Sequence, residues 1–401
     1  MLPAFAARQG GIDVLADALQ ASRRDTLATF AVYEQALPGL GVPLHAERNP
    51  PLWELGHIGW FQEYWLARNP ERHRGAAADP ELARGRALRA NADALYNSSK
   101  VPHDSRWELP LPDADRTRDE LALQLAGTLG LLRETRDASD DALYFFRLAL
   151  LHEDMHHEAA LYTAQALGIA VEDARWQAAT LPEPSSPITL PAGPWRLGSA
   201  PDAGFVFDNE LQAHNVALGP TTIDAQVVRW MEFLPFLESG GYADDQWWSA
   251  AGRQWRAQRQ PGAPRYLRRV GPHWQLWRHG QWRALNLAEA ACHLTYHEAD
   301  AWCRWAGRRL PSEAEWERAA VGRPEDFRWG DVWEWTASPF QPYPGFEPHP
   351  YRDYSAPWFD DRPVLRGASC MTQPRMRHPR YRNFFPPHRN DIPAGFRSCA
   401  G

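Results

Sequence analysis

The sequence predicts a two-domain chain, an all-α helical bundle followed by an α+β domain. Three observations predict it. Apolar residues recur at helical period through most of the first 167 positions. A stretch rich in Pro and Ser, Ala178 to Pro191, then reads as a linker by composition. Beyond it the texture changes to short β-like runs, Trp and Gly turns, interrupted by two short helices. The boundaries that follow are 1–177 for the bundle, 178–190 for the linker and 191–401 for the second domain. A length of 401 residues is ample for two substantial cores.

Taken in order, Gly11 to Leu37 reads as an amphipathic helix, because Ile12, Leu15, Leu19, Leu27 and Phe30 recur near helical period. Pro50-Pro51 opens a second helix, Leu52 to Ala67, proline being suited to a first turn. Pro80 to Tyr96 reads as a third, with Asp79 as its N-cap. Helices over Asp115 to Arg136 and Asp140 to Leu167 complete the set, and long antiparallel helices of this kind make a bundle. In the second domain Pro194 to Ser199, Phe205 to Glu210 and His214 to Leu218 read as short β-like runs. Val227 to Ser239 and His297 to Ala306 read as helices. Arg253 to Arg283, rich in Arg, Trp and Pro, reads as a solvated hairpin or loop.

The chemistry concentrates in Leu148 to Tyr162. There His152 and His156 are four apart on a helix without Gly or Pro, so both imidazoles leave one face a turn apart. Two neutral imidazoles at that spacing can share one divalent metal. His57, among apolar and aromatic neighbours in Trp53-Glu54-Leu55-Gly56-His57-Ile58-Gly59-Trp60, points inward and is the candidate third ligand. Three histidines without a carboxylate leave open positions on the metal, the mark of a site that does chemistry. The spelling His152-Glu153-Asp154-Met155-His156 also fits a zinc hydrolase with Glu153 as general base, although no Gly-x-x-His follows to complete a longer metalloprotease motif.

Bulk properties narrow the class. A net charge of -7 argues against a dedicated nucleic-acid binder, and Lys100 is the only lysine. The four cysteines, Cys292, Cys303, Cys370 and Cys399, form no close pair and fit reduced thiols. Met1 to Gly11 has no apolar core of signal-peptide length, and Leu121 to Leu132 is too short to span a bilayer. The expectation is a cytoplasmic protein with neither nucleic-acid nor membrane partners. Twenty tryptophans make an aromatic pocket for a cation plausible.

Residues 190 to 400 resemble the formylglycine-generating-enzyme fold, a C-type-lectin-like α+β domain. The pieces that carry the resemblance are Pro191 to Ser199, Asp208-Asn209-Glu210, Gly307 to Glu317, Gly330 to Trp335, Leu365 to Ser369 and Gly395-Phe396-Arg397. A true formylglycine generator has two nearby cysteines late in the domain, and Cys370 has no partner across Met371 to Asn383. The N-terminal part resembles a DinB-like four-helix bundle, with Trp53 to Ile58 and His152 to His156 at the metal positions. The two in series resemble the ergothioneine-type sulfoxide synthases. That resemblance implies Fe(II) held by His57, His152 and His156, with hercynine (Nα-trimethylhistidine), a sulfur donor and O2 as small-molecule substrates. The pair Tyr351-Arg352-Asp353-Tyr354 matches the family's tyrosines, which implies Tyr351 as proton donor and Tyr354 as its neighbour.

Departures from the family concern the donor. In Arg382 to Asp391 the family's hercynine-binding Asn and following Arg remain as Asn383 and Arg389, whereas the acidic position is Phe385. Met155 takes a place often held by Gln. Loss of a charged anchor predicts a different chalcogen donor, since a site built on an ion pair rejects ligands that lack it. The variant Asn383-Phe384-Phe385-Pro386, with Ser369-Cys370, resembles the selenoneine synthase branch, which implies a selenosugar (1-seleno-β-D-glucose) as donor. Phe384 is then an aromatic neighbour of hercynine, and Arg106 and Arg389 are donor-site candidates. The alternatives are a sulfoxide synthase using γ-glutamylcysteine or cysteine, a DinB-type zinc hydrolase or thiol transferase, and a non-catalytic lectin-like binder.

Overall fold

The computed structural model describes residues 3–401. Among them every strand lies beyond residue 187, and the preceding chain is helical or irregular. A short helix α1 (Pro3–Gln9) leads into α2 (Ile12–Ala36), α3 (Pro51–Trp65), the single-turn α4 (Ala92–Tyr96), α5 (Ala114–Glu134) and α6 (Asp140–Leu167). The long helices α2, α3, α5 and α6 pack on one another. Ser139 caps α6 by accepting from the Ala142 N–H, and Gly168 closes it with φ of 73°, the left-handed conformation glycine adopts without strain. The helix boundaries read from periodicity hold to within two residues for α2, α3, α5 and α6.

Pro80 to Tyr96 departs from expectation. Only Ala92–Tyr96 is helical, and the Asp79 side chain accepts from the Glu81 N–H in a turn rather than capping a helix. Tertiary hydrogen bonds capture this backbone instead. Gly85 N–H donates to the Arg68 carbonyl, Leu88 N–H to Glu63, and the Arg68 guanidinium ties Gly85 O to Asp93. Such bonds outweigh a weak propensity.

The second half holds two four-stranded sheets, a two-stranded one and a three-stranded one. Strands β1 (Ile188–Leu190), β2 (Gly193–Leu197), β3 (His214–Leu218) and β4 (Thr221–Ile223) come first. Helices α7 (Trp230–Glu238) and α8 (Ala250–Arg259), strands β5 (Leu267–Val270), β6 (His273–Arg278) and β7 (Gln281–Ala284), and helix α9 (Tyr296–Trp305) follow. The chain ends with β8 (Arg308–Arg309), α10 (Glu313–Gly322), β9 (Trp333–Pro339), β10 (Pro363–Gly367), β11 (Asn383–Phe384), β12 (Ala394–Gly395) and β13 (Cys399–Ala400). The sheet orders are β1-β4-β13-β8, β11-β10-β9-β12, β2-β3 and β5-β6-β7.

Three sequence readings change here. The end of the composition-defined linker is β1, paired antiparallel with β4. Phe205 to Glu210 is not a strand; its phenylalanines are buried and Asp208–Glu210 forms a 3-10 turn. Arg253 to Arg283 is ordered as α8 plus the β5-β6-β7 meander, whose Trp277 carbonyl accepts from Gln165 on α6.

Helix α6 is the seam between the halves. Asp154 accepts from Arg375 through both carboxylate oxygens, Gln373 reaches His157, and Glu158 accepts from Trp333, Ser369 and Thr372. At the other end a fully buried Arg8–Glu210 pair clamps α1 to the second half with two hydrogen bonds of 2.8 and 2.9 Å.

Candidate metal centre

His57, His152 and His156 place one ring nitrogen each within 4.8 Å of one another, with His57 and His152 buried and His156 half-buried. The sequence decides this locally. α6 brings two of the rings to one face, and α3 runs alongside with His57 aimed at them. Gly56 makes room for the segment behind it: a Cβ there would sit 2.4 Å from the Tyr96 ring. The Tyr96 carbonyl therefore comes within 2.8 Å of His57 Nδ1.

That contact sets a tautomer. A carbonyl only accepts, so His57 Nδ1 carries the hydrogen and Nε2 keeps its lone pair. His156 Nδ1 donates likewise to the Glu54 carboxylate, which leaves its Nε2 as an acceptor. His156 Nε2 then lies 3.2 Å from His152 Nε2. Nitrogens this close need a cation or a proton between them. Burial lowers the pKa of His57 to about 3 and that of His152 well below its ordinary value, with the neighbouring His156 adding to both shifts. The rings at His57 and His152 are thus neutral near pH 7, and a divalent metal fits the donor set. Glu54 is driven the other way: burial opposes its charge, but His156 and His57 together lower its pKa to about 2. A carboxylate behind a ligating imidazole orients the ring and raises its basicity.

Glu153 lies outside this centre. Both of its oxygens are held by Arg23 in a buried ion pair, so it is unavailable as a general base and the zinc-hydrolase spelling is coincidental.

Tyr351 lies on the His152 side, its ring 6.1 Å from that of His152 and 4.9 Å from Phe61. Tyr354 is 6.1 Å further on, ring to ring, and donates to the Tyr381 hydroxyl at 2.9 Å. Tyr381 in turn reaches Met155 Sδ at 3.5 Å. Burial raises the pKa of both Tyr351 and Tyr354, so both phenols are protonated.

On the His156 side a cavity of about 300 Å³ opens between α2, α3, α6 and the second half. Met155, Asn383 and Phe385 line it, as the sequence predicts for a substrate site. Phe384 does not. Successive strand residues face opposite sides, and Phe384 stacks on Phe340 at 4.0 Å in the core. Arg389 is paired with Asp391 and Glu47 and covers the Phe385 ring at 5.0 Å. Arg106 bonds Asn49 and the carbonyls of Ser98 and Val101 above the Trp53 ring, which ties the loop beside the centre to α3.

Sequence reasoning missed Glu54, Glu158, Tyr162, Trp333, Tyr381 and Arg48, all of which line the cavity. Arg48 Nη1 is buried there without a hydrogen-bond partner.

Residues 173–331 match the family model of the sulfatase-modifying factor enzyme 1-like domain. Hercynine oxygenase of Mycolicibacterium thermoresistibile is 30% identical over 404 residues, covering 87% of this chain and 86% of that protein. Hercynine oxygenase of Mycolicibacterium smegmatis is 30% identical over 443 residues, covering 96% and 98%. A formylglycine-generating enzyme of Streptomyces coelicolor is 31% identical over 157 residues, covering 36% of this chain and 50% of its own. With a three-histidine centre on two bundle helices and relatives that match along nearly its whole length, the chain belongs to the hercynine oxygenase family.

Proposed function

We propose that this protein is an Fe(II)- and O2-dependent enzyme that joins selenium from a selenosugar to the imidazole C2 of hercynine. The single observation that carries the reading is the convergence of three imidazoles, with Nδ1 of His57 and of His156 each held by an oxygen acceptor and no carboxylate among the ligands. His57, His152 and His156 would hold the iron(II), which would supply oxygen activation when bound. The chain's residues do the rest. Tyr351, protonated and beside His152, holds the proton that steers oxygen chemistry toward bond formation, and Tyr354, tied down by Tyr381, packs beside it. Asn383 and Met155 place hercynine, while Phe385 gives the donor site an uncharged aromatic wall suited to a sugar face. Phe384 anchors the strand by stacking on Phe340, and Arg106 and Arg389 hold the loops that frame the site.

A sulfur donor is the second reading, favoured by Arg48. A buried guanidinium nitrogen without a partner suits the carboxylate of cysteine or γ-glutamylcysteine better than a neutral sugar. The test incubates iron-loaded protein, O2 and hercynine with selenosugar, cysteine and γ-glutamylcysteine in parallel, with products weighed by mass spectrometry. A carbon–selenium product formed in preference supports the selenium reading; turnover with thiols alone refutes it.

A further inference from the structure

We infer that Glu158 is the counter-charge for the quaternary ammonium of the substrate, an assignment that rests on hercynine being bound in this cavity. Glu158 lies in the wall between the two halves and lines the cavity. Its Oε1 accepts three hydrogen bonds, from Trp333 Nε1 and Ser369 Oγ at 2.7 Å and from Thr372 Oγ1 at 2.8 Å. Its Oε2 accepts none from the protein. A carboxylate serving only to join the halves uses both oxygens, as Asp154 does one turn earlier with Ser22 and Arg375. Glu158 also has no ion-pair partner among the described residues. Arg377 donates instead to the carbonyls of Thr372 and Ser369.

A buried carboxylate without a cation, with one oxygen pinned and the other facing a cavity, is a site for a cationic ligand. The surroundings select the class. A metal ion or a primary ammonium needs several further oxygen acceptors, whereas Glu158 shares the cavity wall with the aromatic rings of Tyr162, Trp333 and Tyr381 and the thioether of Met155. The Trp333 N–H and the Tyr354–Tyr381–Met155 chain are already committed. Aromatic rings and a thioether around one negative charge suit a weakly hydrated cation that donates no hydrogen bonds. Placement along α6 agrees. His156, Glu158 and the small Ala159 all line the same cavity, so the carboxylate and the His156 ligand share one space.

The test uses full-length, metal-loaded protein under argon and calorimetric titration with hercynine and with 3-(imidazol-4-yl)propionate, which lacks the ammonium. Wild type binds hercynine more tightly. Glu158→Gln keeps the acceptor for Trp333, Ser369 and Thr372, and it weakens hercynine at least about tenfold while moving the propionate less than about twofold. Glu158→Asp, which retracts the charge by one methylene, gives a smaller selective loss and carries the test should the amide variant not fold. An unchanged preference for hercynine in either folded variant overturns the assignment, as does equal weakening of both ligands. Wild-type protein that binds propionate but shows no hercynine preference overturns the assignment and leaves the metal centre standing. Protein that binds neither ligand overturns the hercynine reading itself.

Discussion

Glu54 accepts a hydrogen bond from Nδ1 of His156, and this contact between α3 and α6 leaves Nε2 of His156 as a metal donor. The carboxylate thus belongs to the centre although it does not face it. Glu54→Gln keeps the shape and removes the charge that polarises the ring. The expected result is about a 10–100-fold loss of divalent-metal affinity, measured by competition with a chelator. His152→Ala, which deletes a ligand outright, abolishes stoichiometric binding.

Tyr351 and Tyr354 are separable by substitution. Tyr351→Phe removes the phenol beside His152 and keeps its packing against Phe61 and Trp65. Formation of the carbon–chalcogen bond falls about 100-fold, with oxygen consumption redirected rather than abolished. Tyr354→Phe, one ring further away, costs less because its hydroxyl reaches Tyr381 rather than the centre. Product mass against oxygen uptake distinguishes the two.

Asp208 carries a pH signature. Its burial raises the carboxyl pKa from 3.8 to about 6, with partial relief from the Ser355 hydroxyl and the His349 N–H. A folded-state pKa above the unfolded value means that the native state holds this proton more tightly between about pH 4 and 6. Stability from this group is present in acid and lost as pH rises through that window, by about 3 kcal/mol at most. Its neighbour His349, lowered by burial to about 4, works in the opposite direction, so the wild-type profile is a composite. The difference in denaturation free energy between wild type and Asp208→Asn isolates the carboxylate, and it rises from pH 4 to 6 in favour of the variant.

Arg8 and Glu210 form a buried bidentate pair that joins α1 to the second half across 202 residues. Arg8→Ala leaves Glu210 charged and unpartnered in the interior. The expected cost is about 3–5 kcal/mol in urea denaturation, far above that of a surface pair.

The bundle was legible because its signals are local. The apolar period from Asp140 to Leu167 and the i,i+4 spacing of His152 and His156 lie in one stretch of chain. His57 became readable only beside that pair. Glu54 was not, because an acidic residue in the first turn of a helix is already explained by the helix dipole. Glu158 was hidden for a related reason: its role depends on Trp333, Ser369 and Thr372, more than 170 residues away. The Asn383-Phe384-Phe385 stretch shows a different limit. Resemblance places both aromatic residues at the substrate, but the twofold alternation of a strand sends only Phe385 to the cavity. The Pro80 to Asn91 segment failed because its backbone partners, Glu63 and Arg68, come from α3 and the turn that follows it.

A single rod, α6, presents ligands on one side and the docking groups Asp154, His157 and Glu158 on others. A gene fragment stopped at the proline-rich junction would expose two acidic side chains and an imidazole that have lost their mates. The metal cradle and its cover are therefore one inheritance, and recombining this bundle with a foreign cap requires re-matching Arg375, Gln373 and Ser369 at the same time.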